Sequence, residues 1–194
     1  MGASASVDAQ KHIISGLGDG TATLLSMFVD NEFPLTLGPK YETRYMDKEV
    51  EPFEVEWIRA AKIGCGKLYS GVRDPCVDDI VPGRYSDPYF VVGIMAIATK
   101  SNYLKSHFVA YNPYVGCAAV RLWYNARYEI VVIDDKIPCS KDPDTGSYVP
   151  LFTYSIHGDS WCCLLEKAMA KLRGSSYSNL GNTNLSDMLV HFTG

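Results

Sequence analysis

The sequence has no Cys-x-x-Cys pair, only four histidines and no cluster of basic residues. Its six cysteines (Cys65, Cys76, Cys117, Cys139, Cys162, Cys163) are irregularly spaced, which excludes zinc-site spacing. Reduced, mostly buried thiols are the expectation. Eighteen basic against 22 acidic residues give a formal charge of -4. Without a basic stripe to neutralise a row of phosphates, nucleic acid drops out as a partner. No apolar run reaches the roughly 18 to 20 residues of a bilayer span, and the N-terminus lacks a secretory leader's charged and apolar regions, so the expected address is the cytoplasm. Also missing are two histidines at helical spacing beside a carboxylate, which excludes the usual catalytic metal. Internal repeats and low-complexity tracts are absent too.

What is present is enough apolar material for a core: 47% hydrophobic and 12% aromatic residues in 194, expected to form one compact domain with an appendage. Residues 1–50 mix short apolar runs with Gly, Pro and charge, and are expected to be an appended, partly extended segment. The opening Met1-Gly2-Ala3-Ser4-Ala5-Ser6 fits the template for myristoylation of Gly2, with an ordinary flexible tail as the alternative. One acyl chain binds membranes only marginally, and Lys11 is the only close base, so the membrane contact expected from it is reversible.

From Glu51 the pattern firms up. A Gly- and Pro-bearing loop runs from Gly64 to Gly83, too polar to be expected in the core. Ser86-Asp87-Pro88 followed by Tyr89 to Ala98 predicts a buried helix, with Asp87 as cap and Pro88 at the first helical position. Because this helix is apolar almost all round, it is expected at the domain's centre. Residues 118–123 and 127–134 predict a hairpin around Asn125-Ala126, with Asp134-Asp135 and Pro138 ending the second strand. Trp161, Leu164, Leu165, Ala168 and Leu172 repeat at helical spacing, with Glu166, Lys167 and Lys171 on other faces and Gly174 as the stop. Lys171 and Arg173 in the last turn suit the negative end of the helix dipole. The order helix, antiparallel strands, helix is α+β.

Four stretches over residues 51–194 together resemble the first subdomain of the papain-like calpain cysteine protease core. Val55-Glu56-Trp57-Ile58-Arg59 resembles that family's Glu-Trp-x-Arg opening, and Val131 to Pro138 its Val-Val-Val-Asp-Asp-x-Leu-Pro strand end. Trp161 with Leu164 to Lys171 is similar to its Trp-x-x-Leu-Leu-Glu-Lys-Ala-x-Ala-Lys helix. Phe192-Thr193-Gly194 stands where that subdomain normally closes.

The resemblance implies a calcium-dependent cysteine endopeptidase, yet the residues that would do the work are missing. A cysteine protease needs a thiolate at a helix N-terminus beside a histidine, and a donor for the oxyanion. The family presents these in Gln-Gly-x-x-Gly-Asp-Cys-Trp. The matching stretch, Pro82-Gly83-Arg84-Tyr85-Ser86-Asp87-Pro88-Tyr89, puts Pro88 at the nucleophile and Pro82 at the oxyanion glutamine. The family's histidine and asparagine lie on a second subdomain, beyond this stretch, and His191 does not match that histidine. Ser86 and Cys76 have no base placed by any motif. The resemblance also implies a calcium site, with Asp79 and Asp159 as carboxylates and carbonyls near Val72 and Asp74. Against it, Asp159 is read as a helix cap and Asp78-Asp79 as a solvated turn.

The expectation is therefore a non-catalytic calpain-like scaffold or interaction protein, since relatives without catalytic residues occur as cytoskeletal and flagellar components, including at microtubules. The alternative is a regulatory pseudoprotease that pairs with or inhibits an active calpain-like protease. The 13 tyrosines and three tryptophans leave room for an aromatic interface hot spot with a protein partner.

Overall fold

A computed structural model describes residues 27–42, 54–71 and 73–194. Gly2, Lys11 and Val72 lie outside the described residues.

In chain order the elements are α1 (Pro39–Glu42), β1 (Glu56–Arg59), β2 (Ile80–Val81), α2 (Pro88–Ala98), α3 (Ser101–Lys105), β3 (Phe108–Asn112), β4 (Cys117–Tyr124), β5 (Arg127–Asp134), β6 (Lys136–Lys141), β7 (Tyr148–Pro150), β8 (Tyr154–Ser155), α4 (Trp161–Leu172) and α5 (Leu185–Thr193). The strands make three small antiparallel sheets, β3-β4-β5, β1-β6-β7 and β2-β8. This is the expected α+β arrangement. The β4–β5 hairpin turns through Asn125 and Ala126, at φ 50° and 62°, the left-handed pair that a two-residue turn needs to match strand twist. Pro138 lies inside β6 opposite Trp57, not at a strand end. β7 stops pairing beside it, at Cys139 opposite Pro150, so the missing amide hydrogen interrupts no ladder there.

Residues 27–42 depart from the expected appendage. Phe33, Leu37 and Tyr41 are buried in the main core, and Phe33 meets Trp57 and Tyr177 edge-on. The Phe28 amide donates to the Val115 carbonyl at 2.7 Å, and Arg59 Nη2 donates to the Phe28 carbonyl at 2.6 Å. The segment buries large side chains without helical or strand periodicity, so a pattern search finds nothing there. Each such side chain contributes about 1.5–3 kcal/mol of burial free energy.

α2 begins as its sequence predicts, with Asp87 Oδ1 accepting the Phe90 amide at 3.0 Å and Pro88 in the first turn. It packs on α5 at Gly93. A Cβ there would lie 2.9 Å from Met188 Cγ and 3.0 Å from Phe192 Cε2, so only glycine allows the close approach. α4 packs against β4 and β5, and all twelve of its residues are buried. The polar faces expected for Glu166, Lys167 and Lys171 are therefore interior, each matched by a partner from elsewhere in the chain. Lys167 Nζ donates to Asp134 Oδ1 at 2.5 Å and to the Lys136 carbonyl at 2.7 Å. Lys171 Nζ donates to both Asp30 oxygens and to the Val132 carbonyl, all at 2.8 Å. The Asp30 pair ties residues 27–42 to the core. The role expected for Lys171 at the helix dipole is replaced by this pairing.

Candidate functional site

The turn leading into α2 is seated on the strand-free stretch before β8. Tyr85 donates its amide to the Leu151 carbonyl at 2.8 Å. A Cβ on Gly83 would meet the Phe152 carbonyl oxygen at 2.3 Å and the Leu151 carbonyl oxygen at 2.6 Å, so the backbone lies flat on its neighbour. Ser86 Oγ accepts the Gly83 amide at 2.8 Å and the Thr153 hydroxyl at 3.0 Å. Its oxygen closes the turn and ties it to Thr153. Below lies the fully buried Glu166, whose Oε2 accepts the Thr153 amide at 2.7 Å. Burial, aided by the nearby Asp87 charge, pushes the Glu166 pKa up to about 8 against the opposing Thr153 hydrogen bonds. Glu166 thus anchors Thr153, to which the turn is tied through Ser86, a role hidden in the sequence behind an ordinary amphipathic pattern.

At the tip itself Pro88 and Pro82 are exposed, and neither side chain carries a nucleophile or a hydrogen-bond donor. The described histidines are engaged elsewhere. His107 Nδ1 donates to the Arg121 carbonyl at 2.9 Å, and burial holds its pKa down. His191 Nδ1 donates to the Trp123 carbonyl at 2.9 Å, while its Nε2 accepts from Arg173 Nη1 at 3.0 Å. His157 Nε2 accepts from Arg73 Nη2 at 2.6 Å, since a guanidinium has donors only.

The thiols are quiet because burial disfavours the thiolate. Burial pushes Cys65 up to about 11 and both Cys117 and Cys139 up to about 12. Cys162 and Cys163 are raised further, again by burial. All six cysteines are free. Cys76 is the one that is partly exposed, and its Sγ sits 3.8 Å from Asp79 Oδ1.

The second candidate site joins the 70–79 loop to the 156–159 loop. Asp79 is 1% exposed and so is not a solvated turn residue. Its Oδ2 accepts the Cys76 amide at 2.8 Å, and its Oδ1 is ion-paired with Arg73. His157 Nε2 lies 3.5 Å from the same oxygen. The Asp74 carboxylate turns away to Lys105 and Ser101 on α3, a pairing that holds its pKa below the ordinary range. Asp159 does not cap α4. Ser160 is the cap residue, and its own hydroxyl donates to the Lys67 carbonyl at 3.0 Å. Asp159 is buried with Oδ1 unpartnered, and burial raises its pKa against hydrogen bonds from Ser70. It lines a cleft of about 280 Å³ with Gly64, Gly66, Lys67, Ser70 and His157. Calcium does not fit this arrangement as it stands. Asp79 already holds a cation, and among the described residues no three His, Cys, Asp or Glu side chains form a metal-holding group; the pairing of the Asp74 carboxylate leaves the carbonyl expected from Asp74 untested.

Comparison with known proteins bears on both sites. A family model described as "Calpain family cysteine protease" matches residues 28–194, so the match takes in the residues from 28 onward that pack in the core. The chain is similar to Calpain-13 of Rattus norvegicus, 28% identical over 177 residues, covering 87% of this chain and 25% of that protein. It is similar to Calpain-14 of Homo sapiens at 29% over 177 residues, covering 87% and 24%. A third relative, the calpain-type cysteine protease DEK1 of Zea mays, is 30% identical over 180 residues, covering 86% and 8%. The chain thus spans a quarter or less of the length of these relatives.

Proposed function

Because this chain belongs to the calpain family of cysteine proteases, we propose that it works as a non-catalytic interaction module, with cytoskeletal or flagellar protein partners in the cytoplasm. The observation that carries this reading is Pro88. It occupies the first turn of α2, where the family resemblance calls for the sulfur, and a helix N-terminus without a thiol or hydroxyl activates nothing. Pro82 removes the oxyanion donor, and each described histidine is held by partners away from α2. The names of the relatives describe calpains and calpain-type cysteine proteases. Their activity does not carry over to a chain with an imino acid at this position.

A second reading is supported by one feature. Tyr89 and Val92 are 43% and 46% exposed, and Ala96 is exposed one turn further on. Together they form an apolar stripe down α2, starting at Pro88. Burying such a stripe against a partner is the physical basis for a regulatory pseudoprotease that pairs with an active calpain-like protease. Acylation of Gly2 would add reversible membrane contact to either role.

The test is a pair of measurements on the same chain. Incubation with a calpain substrate and a thiol-reactive probe should give no turnover and no single-site labelling for wild type. Pro88→Cys should stay inactive too, because Pro82 still leaves the oxyanion without its side-chain donor. Cleavage by either protein would overturn the proposal. Proximity labelling in the source cell, with wild type and Gly2→Ala, then separates the readings: cytoskeletal or flagellar neighbours support the module, and a protease neighbour supports the regulator.

A further inference from the structure

The two loops that would have to share a calcium ion are already bridged. β2 pairs with β8 through Ile80 opposite Ser155 and Val81 opposite Tyr154. The Ile156 amide donates to the Asp79 carbonyl at 2.9 Å. Across this junction Arg73 reaches from the first loop, ion-pairs with Asp79 Oδ1, and donates to His157 Nε2 on the second loop at 2.6 Å. One guanidinium thus contacts both loops and neutralises the buried carboxylate between them. A divalent cation bridging Asp79 to the 156–159 loop would do the same job. It would also have to displace Arg73, because a guanidinium and a calcium ion at one carboxylate oxygen repel each other. The neighbouring acid, Asp74, is balanced in the same way by Lys105.

We infer that Arg73 takes the cation position between these loops, so that this chain holds them together with its own guanidinium and independently of calcium. Arginine suits the task because its planar fork can serve two acceptors at once and it stays charged at any working pH. The inference concerns these loops alone and stands whether the chain is a scaffold or a regulator.

The experiment is thermal unfolding of the full chain in chelator and in millimolar calcium, for wild type, Arg73→Gln and Arg73→Gln/Asp79→Asn. Wild type should give the same Tm in both conditions. Arg73→Gln should lose about 2–4 °C in chelator and regain it in calcium but not in magnesium, because the carboxylate is vacated and calcium tolerates irregular oxygen geometry. The double variant should be insensitive to calcium. If Arg73→Gln does not fold in chelator, refolding in calcium alone gives the same support. A calcium-dependent Tm in wild type, or an Arg73→Gln defect that calcium does not reverse, overturns the inference.

Discussion

α2 and α4 invert what their compositions announce. α2 is apolar nearly all round, yet it leaves Tyr89, Val92 and Ala96 in solvent. α4 carries Glu166, Lys167 and Lys171, yet buries every residue. Burial is therefore decided by what the rest of the chain offers each face. α4 lies against strands and against residues 27–42, which supply Asp134 and Asp30 to its ammonium groups. α2 finds a partner in α5 on one side, and the described chain leaves its Tyr89 face uncovered. An interior helix whose ammonium groups are paired and a partly bare apolar one are the two halves of one packing problem. The first specifies the fold, and the second is where a partner has something to gain.

The largest way to break this contrast is to remove one member of a buried pair on α4. Lys167→Ala strands Asp134, which burial would push up were it not held below its usual range by the Lys167 charge and by the Asp30 and Lys136 amides. The expected loss is about 3–5 kcal/mol, read as a fall in the urea midpoint with unchanged m.

Glu166 gives the next effect, through pH. Its folded pKa of about 8 lies above the ordinary 4.5, so the folded state binds the proton more tightly than the unfolded state. Stability from this group is complete below about pH 4.5 and is lost as pH rises towards 8. Glu166→Gln should flatten the unfolding free energy across that window. An unchanged slope would show that the acid is already ionised in the fold.

A smaller loss is expected on α2 at its packed side. Gly93→Val drives methyl groups into Met188 and Phe192 and should cost about 1–3 kcal/mol, measured by thermal unfolding. The least effect belongs to the bare side: Val92→Ser should stay within about 0.5 kcal/mol of wild type while weakening whatever protein co-purifies through that face. If Val92→Ser destabilised as much as Gly93→Val, the stripe would be part of the core, and the contrast between the helices would fail.

Much of this was legible beforehand where the signal is local. Asp87-Pro88 marks the start of α2 because a cap and a fixed φ act within one turn. Asn125-Ala126 marks the hairpin because the flanking β-branched residues act within one strand. Residues 27–42 were not legible, because Phe33, Leu37 and Tyr41 are buried without a repeating period. Asp159 was misread as a cap because an acid before a helix looks the same whether it caps or is buried beside a cleft. Arg73 gave no signal, since a lone loop arginine is normally a solvated charge.

By itself, then, the sequence determined the family, the α+β class and the presence of an imino acid at the tip of α2, all of which depend on residue identity and on neighbours a few positions away. Only the tertiary structure decided which charges are buried and who neutralises them: Lys171 with Asp30, 141 positions apart, and Arg73 against His157, 84 apart. A charge is tolerated in the interior only when an opposite charge or a hydrogen-bond partner is brought to it, and that partner is chosen by the path of the folded chain.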